Sequence, residues 1–145
     1  MAQKALGRTY NATPGADGKW IAVKNAGGVA FVCYLAGAVG DVYTLQEAKD
    51  SAGTGAQNLA IITEYYTNTG DGSDAWVKRT QAAGAVVTTT ATAAQNAMVV
   101  EVLGVSLDDG YRYLKLTSTG AGAVNAQHFD LMTQRGAANL PAMGV

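Results

Sequence analysis

Short runs of alternating apolar and polar residues dominate this chain, and clusters of Gly, Asn, Asp and Ser separate them. Side chains of a strand point alternately to its two faces, so such alternation predicts strands with at least one buried face. The strand-like runs cover residues 20–24, 29–35, 41–49, 58–67, 75–80, 85–90, 98–103, 111–118 and 124–134. Regularly spaced short strands with turn residues between them predict an all-β fold, an antiparallel β-sandwich or jelly roll of roughly eight strands, with a barrel as the other closed arrangement.

Two segments allow a second interpretation. LQEAKD at 45–50 fits either the end of a strand or one helical turn, and TAAQNA at 92–97 fits a short helix or a loop. Strands do not alternate with helical patterns, so a parallel α/β fold is not predicted. With 145 residues and no linker-like tract, residues 1–145 are predicted to form one domain, with residues 1–18 and 134–145 as extended N- and C-terminal arms.

Composition narrows the classes of function. The net charge is −1 and only 14% of residues are charged, so the sequence offers no basic face for nucleic acid. No apolar run approaches the roughly 20 residues of a membrane span, and Met1–Tyr10 lacks the apolar segment of a secretory signal. The sequence therefore predicts a protein made in the cytoplasm that binds neither nucleic acid nor membrane.

Residues suited to nucleophilic or metal chemistry are scarce. Cys33 is the only cysteine, which excludes an intrachain disulfide, and it lies in the apolar run VAFVCYL, which favours a buried, unreactive thiol. His128 is the only histidine, so no pair of histidines can hold a metal. Asp130 lies two residues further on the same predicted strand face, but a histidine in the middle of a strand is more often structural than catalytic.

The carboxylates are scattered along the chain. Asp108 and Asp109 precede Gly110 in a predicted turn, where aspartate commonly forms local hydrogen bonds. Glu47, Glu64 and Glu101 show no spacing that brings two acids together for glycoside cleavage. The loop TGDGSD at 69–74 lacks the length and the terminal Glu of a calcium loop. The sequence predicts no catalytic residue, no metal site and no cofactor, and therefore a protein that is not an enzyme.

Aromatic residues leave one binding function open. Five aromatic residues could form a platform that stacks on sugars or bases: Tyr65, Tyr66, Trp76, Tyr111 and Tyr113. Tyr65 and Tyr66 point to opposite faces of their strand, so at most one of them can join a given platform. The alternative interpretation is that they are core residues and cross-strand pairs. A carbohydrate- or receptor-binding β-sandwich module is thus an alternative prediction.

Several segments resemble small proteins encoded in the head-gene region of tailed bacteriophages. The similarity covers most of residues 29–141 and is carried by VYTLQEA at 42–48, EYY at 64–66, WVK at 76–78, LDDGY at 107–111, QR at 134–135 and NLP at 139–141. These are strand and turn segments rather than a catalytic signature. Gly136, Ala137 and Ala138 stand where a basic or proline-containing segment is expected after the Arg.

The resemblance implies a virion component, a capsid decoration or cement protein with a β-sandwich body on the outer capsid surface. Its implied partner is the major capsid protein, and its implied state is a homo-oligomer on the capsid, for example a trimer at a three-fold axis. Residues 1–18 and 134–145 are expected to reach neighbouring subunits. A tail-tube or head–tail connector component is the alternative within the same particle.

Overall fold

A computed structural model describes residues 10–133 and 135–145. Its described part is all-β. The eleven strands are β1 Ala12–Thr13, β2 Ile21–Ala22, β3 Gly28–Tyr34, β4 Val42–Ala48, β5 Gln57–Asn58, β6 Ile62–Asn68, β7 Val77–Gly84, β8 Val86–Thr88, β9 Ala97–Leu103, β10 Tyr113–Ser118 and β11 Ala123–Phe129. Short 3-10 turns occur at Ala93–Gln95, Gly104–Ser106 and Ala137–Asn139.

Two antiparallel sheets contain these strands. The six-stranded sheet has the order β1-β11-β3-β9-β6-β7, and the five-stranded sheet has the order β2-β10-β4-β5 with β8 also paired to β4. Strands far apart in sequence are neighbours, because β11 pairs with β3 and β10 pairs with both β2 and β4. The predicted all-β, two-sheet sandwich is confirmed, with more strands than the alternation indicated.

One core lies between the sheets. Phe31, Val100 and Val124 of the six-stranded sheet and Leu45 and Leu116 of the five-stranded sheet are almost fully buried in a single cluster. They occupy alternate positions of their strands, so each strand keeps its other face for the outside of the sandwich. This alternation is the pattern that made the strands recognisable in the sequence.

The structure resolves the two ambiguous segments, ends the strand predicted at 124–134 at Phe129, and divides another predicted strand. Residues 42–48 are strand throughout, while residues 93–95 form a 3-10 turn before β9. The prediction of one continuous strand at 58–67 is wrong. Gln57–Asn58 pairs with β4 in the five-stranded sheet, whereas Ile62–Asn68 pairs with β7 and β9 in the six-stranded sheet. The chain crosses between the sheets at residues 59–61, where buried Leu59 anchors the crossing in the core.

The predicted arms are described only in part, because residues 1–9 and Gln134 lie outside the described residues. Residues 10–18 run along the body: β1 pairs with β11, and Ala16 is fully buried. Residues 135–145 lie across the end of the sandwich, where the Ala22 amide donates a hydrogen bond to the Met143 carbonyl (2.9 Å). No residue of 135–145 whose side chain is described is buried.

Candidate interaction surfaces

The outer face of the six-stranded sheet carries apolar side chains and few charges. Strand register places Val32, Val99 and Tyr66 side by side across β3, β9 and β6. In the next row, Tyr34 stands beside Ala97. Tyr34 and Tyr66 are 44% and 37% exposed. Such a row of apolar side chains on an open sheet face suits contact with another protein surface.

Charges on this face are few and partly neutralised. Lys78 lies beside Tyr66 in the register and forms an ion pair with Glu64 (2.5 Å). The Glu64 carboxylate raises the pKa of Lys78, through their hydrogen bond and their charge attraction. Glu101 lies one row away on β9 and is exposed. Glu64 and Glu101 therefore both occupy solvent-facing positions.

The outer face of the five-stranded sheet has a different composition. Its strands present mainly polar side chains there: Thr44 and Gln46 from β4, and Lys115 and Thr117 from β10. Lys115 lies over the Trp20 ring, 4.3 Å from its centre. This face therefore has the polar composition of an ordinary solvated surface.

A groove of about 610 Å³ opens at the end of the sandwich where β9 ends and β10 begins. Its lining is largely apolar and includes Val23, Val105, Leu107, Tyr113, Met132 and Val145. Val105 is 90% exposed and Met132 is 77% exposed. Lys24 and Arg112 are the charged residues in the described lining. The groove is thus an apolar depression with a charged margin.

A buried carboxylate holds the turn beside this groove. Glu47 is fully buried on β4, where it accepts hydrogen bonds from the Gln57 side chain (2.7 Å) and the Asp108 amide (3.0 Å). The same Gln57 amide group also donates to the Asp108 carboxylate (2.7 Å). Glu47 thereby fixes the turn of Asp108 and Asp109. In the sequence, Glu47 is one of several scattered acids. It nevertheless alternates with Tyr43 and Leu45 on the side of β4 that faces the core.

The opposite end of the sandwich is closed by another buried carboxylate. Asp41 precedes β4 and accepts hydrogen bonds from the amides of Val42 (2.7 Å), Thr119 (3.1 Å) and Gly120 (2.8 Å) and from the Ser118 hydroxyl. Burial of Asp41 acts to raise its pKa, but these hydrogen bonds outweigh burial and hold the pKa below its ordinary value. Sequence reasoning missed this cluster, since its members lie 77 to 79 residues apart.

His128 and Cys33 are both buried. The His128 ring nitrogen Nε2 hydrogen-bonds the Ala22 carbonyl (2.5 Å), which links β11 of one sheet to β2 of the other. Asp130 follows the end of β11 and is exposed, so it does not share the buried setting of His128. Burial, followed by the charges of Asp41 and Asp17, raises the pKa of the Cys33 thiol, which keeps it protonated.

The loop at 69–74 satisfies its own polar groups. The Thr69 hydroxyl donates to Asp71 (2.6 Å), the Thr69 amide donates to Asp74 (3.0 Å), and the Ser73 amide donates to Asp71 (2.8 Å). Hydrogen bonds from Ser73 and Thr69 lower the pKa of Asp71 to about 2. Within residues 10–133 and 135–145, no group of three or more His, Cys, Asp or Glu residues is placed to hold a metal ion.

The five aromatic residues considered for sugar stacking are spread over the molecule. Tyr65 packs against the core and Tyr66 lies on the outer face of the six-stranded sheet. Trp76 is exposed just before β7. Tyr111 and Tyr113 line the groove at the end of the sandwich, and the Tyr111 hydroxyl donates to the Gly55 carbonyl (3.1 Å). They do not share one surface.

Comparison of the chain with protein-family models, curated proteins and solved structures finds no match. Among the described residues, no helix has the length and apolar character needed to cross a bilayer.

Proposed function

We propose that this chain is a non-enzymatic structural protein of a tailed-phage virion, a capsid decoration protein located on the capsid surface. The observation that supports the proposal best is the outer face of the six-stranded sheet, with Val32, Val99, Tyr66 and Tyr34 on a surface that carries few charges. A cement protein buries a flat surface against a lattice of the major capsid protein. Many copies with modest contacts then give high avidity without one deep site.

The buried polar groups make their contacts within the fold, which supports a structural role. Asp41 and Glu47 are buried carboxylates whose oxygens are occupied by hydrogen bonds within the fold. His128 and Cys33 are buried in separate places. A general acid or nucleophile needs access to a substrate, which these four groups lack. The resemblance of most of residues 29–141 to phage head-region proteins supports a phage head as the particle.

The test is co-sedimentation with capsid shells that lack the decoration protein. The unmodified protein should bind saturably, at a fixed ratio to the capsid subunit. Val99→Lys places a charge at the centre of the apolar row and should weaken binding at least about tenfold, because the charge must be desolvated in the contact. Thr44→Lys is the matched control on the polar face of the other sheet and should bind like the unmodified protein.

Three results would count against the proposal. Absence of binding to expanded shells would favour the tail-tube, connector or carbohydrate-binding alternatives, which binding to tail tubes or to glycan arrays then separates. Equal binding by the unmodified protein and Val99→Lys would remove the six-stranded sheet as the docking face. Equal losses for Val99→Lys and Thr44→Lys would indicate a general effect of added charge rather than a docking face.

A further inference from the structure

We infer that the groove end of the sandwich joins two copies of this chain in a two-fold contact, with apolar side chains at its centre and charged side chains of both signs around it. This inference goes beyond capsid binding, because the proposed docking face is the outer face of the six-stranded sheet. The groove end is a separate surface, and its partner is identified from its own chemistry.

The centre of the surface is apolar and exposed. Val105, Met132 and Val145 all line the groove, and each is at least 67% exposed. Single exposed apolar side chains are ordinary on a protein surface, but three around one depression form a patch typical of contact sites. Burying them against a second copy removes their apolar area from water.

The backbone holds this patch in place. Val105 lies in the 3-10 turn Gly104–Ser106, and the Gly104 amide donates to the Gly27 carbonyl (2.8 Å) of the turn before β3. The Met132 amide donates to the Asn25 carbonyl (2.9 Å) of the same connection. Side chains on a fixed backbone lose little further freedom when they bind, so the contact has a small entropic cost.

The margin of the groove carries both signs of charge. Lys24 and Arg112 line it, are exposed, and form no ion pair with another described residue. Asp108 and Asp109 are exposed in the turn between two lining residues, and the Glu47 and Gln57 hydrogen bonds fix that turn. Neither aspartate is in an ion pair within the described chain.

This combination identifies a second copy as the partner. A basic margin alone would suit an acidic partner, whereas a margin with both signs is complementary to itself. In a two-fold contact the same patch lies on both sides, so each basic group of one copy can meet an acidic group of the other, and every such pair occurs twice. The apolar centre then meets its own equivalent.

The experiment measures self-association of the purified full chain by sedimentation velocity and light scattering at concentrations up to about 1 mM. The unmodified protein should form a dimer. The basic-side variant Lys24→Glu/Arg112→Glu and the acidic-side variant Asp108→Lys/Asp109→Lys should each associate at least about tenfold more weakly, because like charges then face each other. An equimolar mixture of the two variants should restore a dimer containing one chain of each.

Controls keep folding separate from association. Thermal melting checks that each variant is folded, and Asp109→Lys alone replaces the acidic-side pair if loss of the Gln57–Asp108 hydrogen bond unfolds it. Val39→Asp changes an exposed apolar residue outside the groove and should dimerise normally. A monomer at all concentrations, a trimer, or failure of the mixed variants to associate would overturn the two-fold contact. None of these results depends on capsid shells.

Discussion

The two ends of the sandwich differ in which groups they bury and which they leave exposed. At one end Asp41 collects amide and hydroxyl donors from the turn after β10, so buried polar groups close the structure. At the other end Val105, Met132 and Val145 leave apolar surface in contact with solvent around a groove. A buried carboxylate with its donors is costly to disturb, because every lost partner leaves a desolvated group. Exposed apolar side chains contribute little to folding.

This difference separates residues that the fold needs for stability from surface residues that are available for binding. At the Asp41 end the carboxylate oxygens are occupied by donors of the fold itself. The groove end retains unburied apolar area, which another protein surface can cover. The following predictions test that separation, from the largest expected change in stability to the smallest.

Replacing Asp41 with Ala should have the largest effect. The amides of Thr119 and Gly120 and the buried Ser118 hydroxyl would lose their acceptor. We expect the free energy of unfolding to fall by about 3 kcal/mol, since hydrogen bonds to charged groups contribute about 1.5–3 kcal/mol each and solvent can replace some of them. Urea denaturation measures the loss.

The matched control is Asp109→Ala, which removes an exposed aspartate whose side chain forms no hydrogen bond with another described residue. It should change the free energy of unfolding by less than about 0.5 kcal/mol. A loss below about 1 kcal/mol for Asp41→Ala would mean that the Asp41 end does not need its carboxylate.

Acidification should weaken the same end selectively. The folded pKa of Asp41 lies below its ordinary value of 3.8, so the ionised carboxylate contributes stability that is fully present above about pH 4 and is lost as the pH falls through the folded pKa. Asp41→Asn lacks this ionisation. The difference in unfolding free energy between the unmodified protein and Asp41→Asn should therefore shrink from pH 5 to pH 2.

Chemical denaturation of the two proteins at several pH values provides the measurement. Asp50 and Asp71 also have lowered pKa values through hydrogen bonds within their loops, but both remain in the variant and their contributions cancel in the difference. Parallel stability curves for the two proteins would show that Asp41 does not contribute to the acid sensitivity.

The strands could be predicted from sequence because their signal is local. Residues 29–35 alternate two apolar faces, and β3 occupies Gly28–Tyr34 in the middle of its sheet. The crossing at residues 59–61 could not be predicted, because Leu59 and Ile61 continue the alternation while the chain changes sheets. Periodicity records which side chains are buried, and it carries no information about which sheet a strand joins.

The surfaces were less predictable than the strands. The apolar row of Val32, Val99 and Tyr66 depends on the register of three strands that are far apart in sequence. The Asp41 cluster and the margin of the groove also combine residues from distant segments. Glu47 is the exception, since its inward phase on β4 was visible in the alternation of residues 43, 45 and 47.

Removing residues 134–145 should cost about 1 kcal/mol of stability. Among residues 135–145 no described side chain is buried, and the Met143 carbonyl accepts a main-chain hydrogen bond from Ala22. One such hydrogen bond contributes about 0.5–1.5 kcal/mol. The truncated chain should therefore remain folded, with an unchanged dependence of unfolding free energy on urea. A loss above about 3 kcal/mol would show that this segment belongs to the core structure.

The same truncation should weaken binding to capsid shells if the C-terminal segment reaches a neighbouring subunit. Folding and binding are then separated in one variant, because the loss of stability is small. Unchanged shell binding by a folded, truncated protein would restrict the docking contact to the body of the sandwich.

The smallest change in stability is expected for Val105→Asp. The side chain is 90% exposed in a 3-10 turn held by the Gly104 amide, so it contributes almost nothing to the core and the substitution breaks no hydrogen bond. We expect the free energy of unfolding to change by less than about 0.5 kcal/mol.

Self-association of Val105→Asp should nevertheless be lost, because a carboxylate at the centre of the contact would be desolvated opposite its own copy. Urea denaturation and sedimentation velocity on one preparation measure the two quantities. If Val105→Asp destabilised the monomer as strongly as Asp41→Ala, the groove end would be part of what the fold requires, and the separation between the two ends would be wrong.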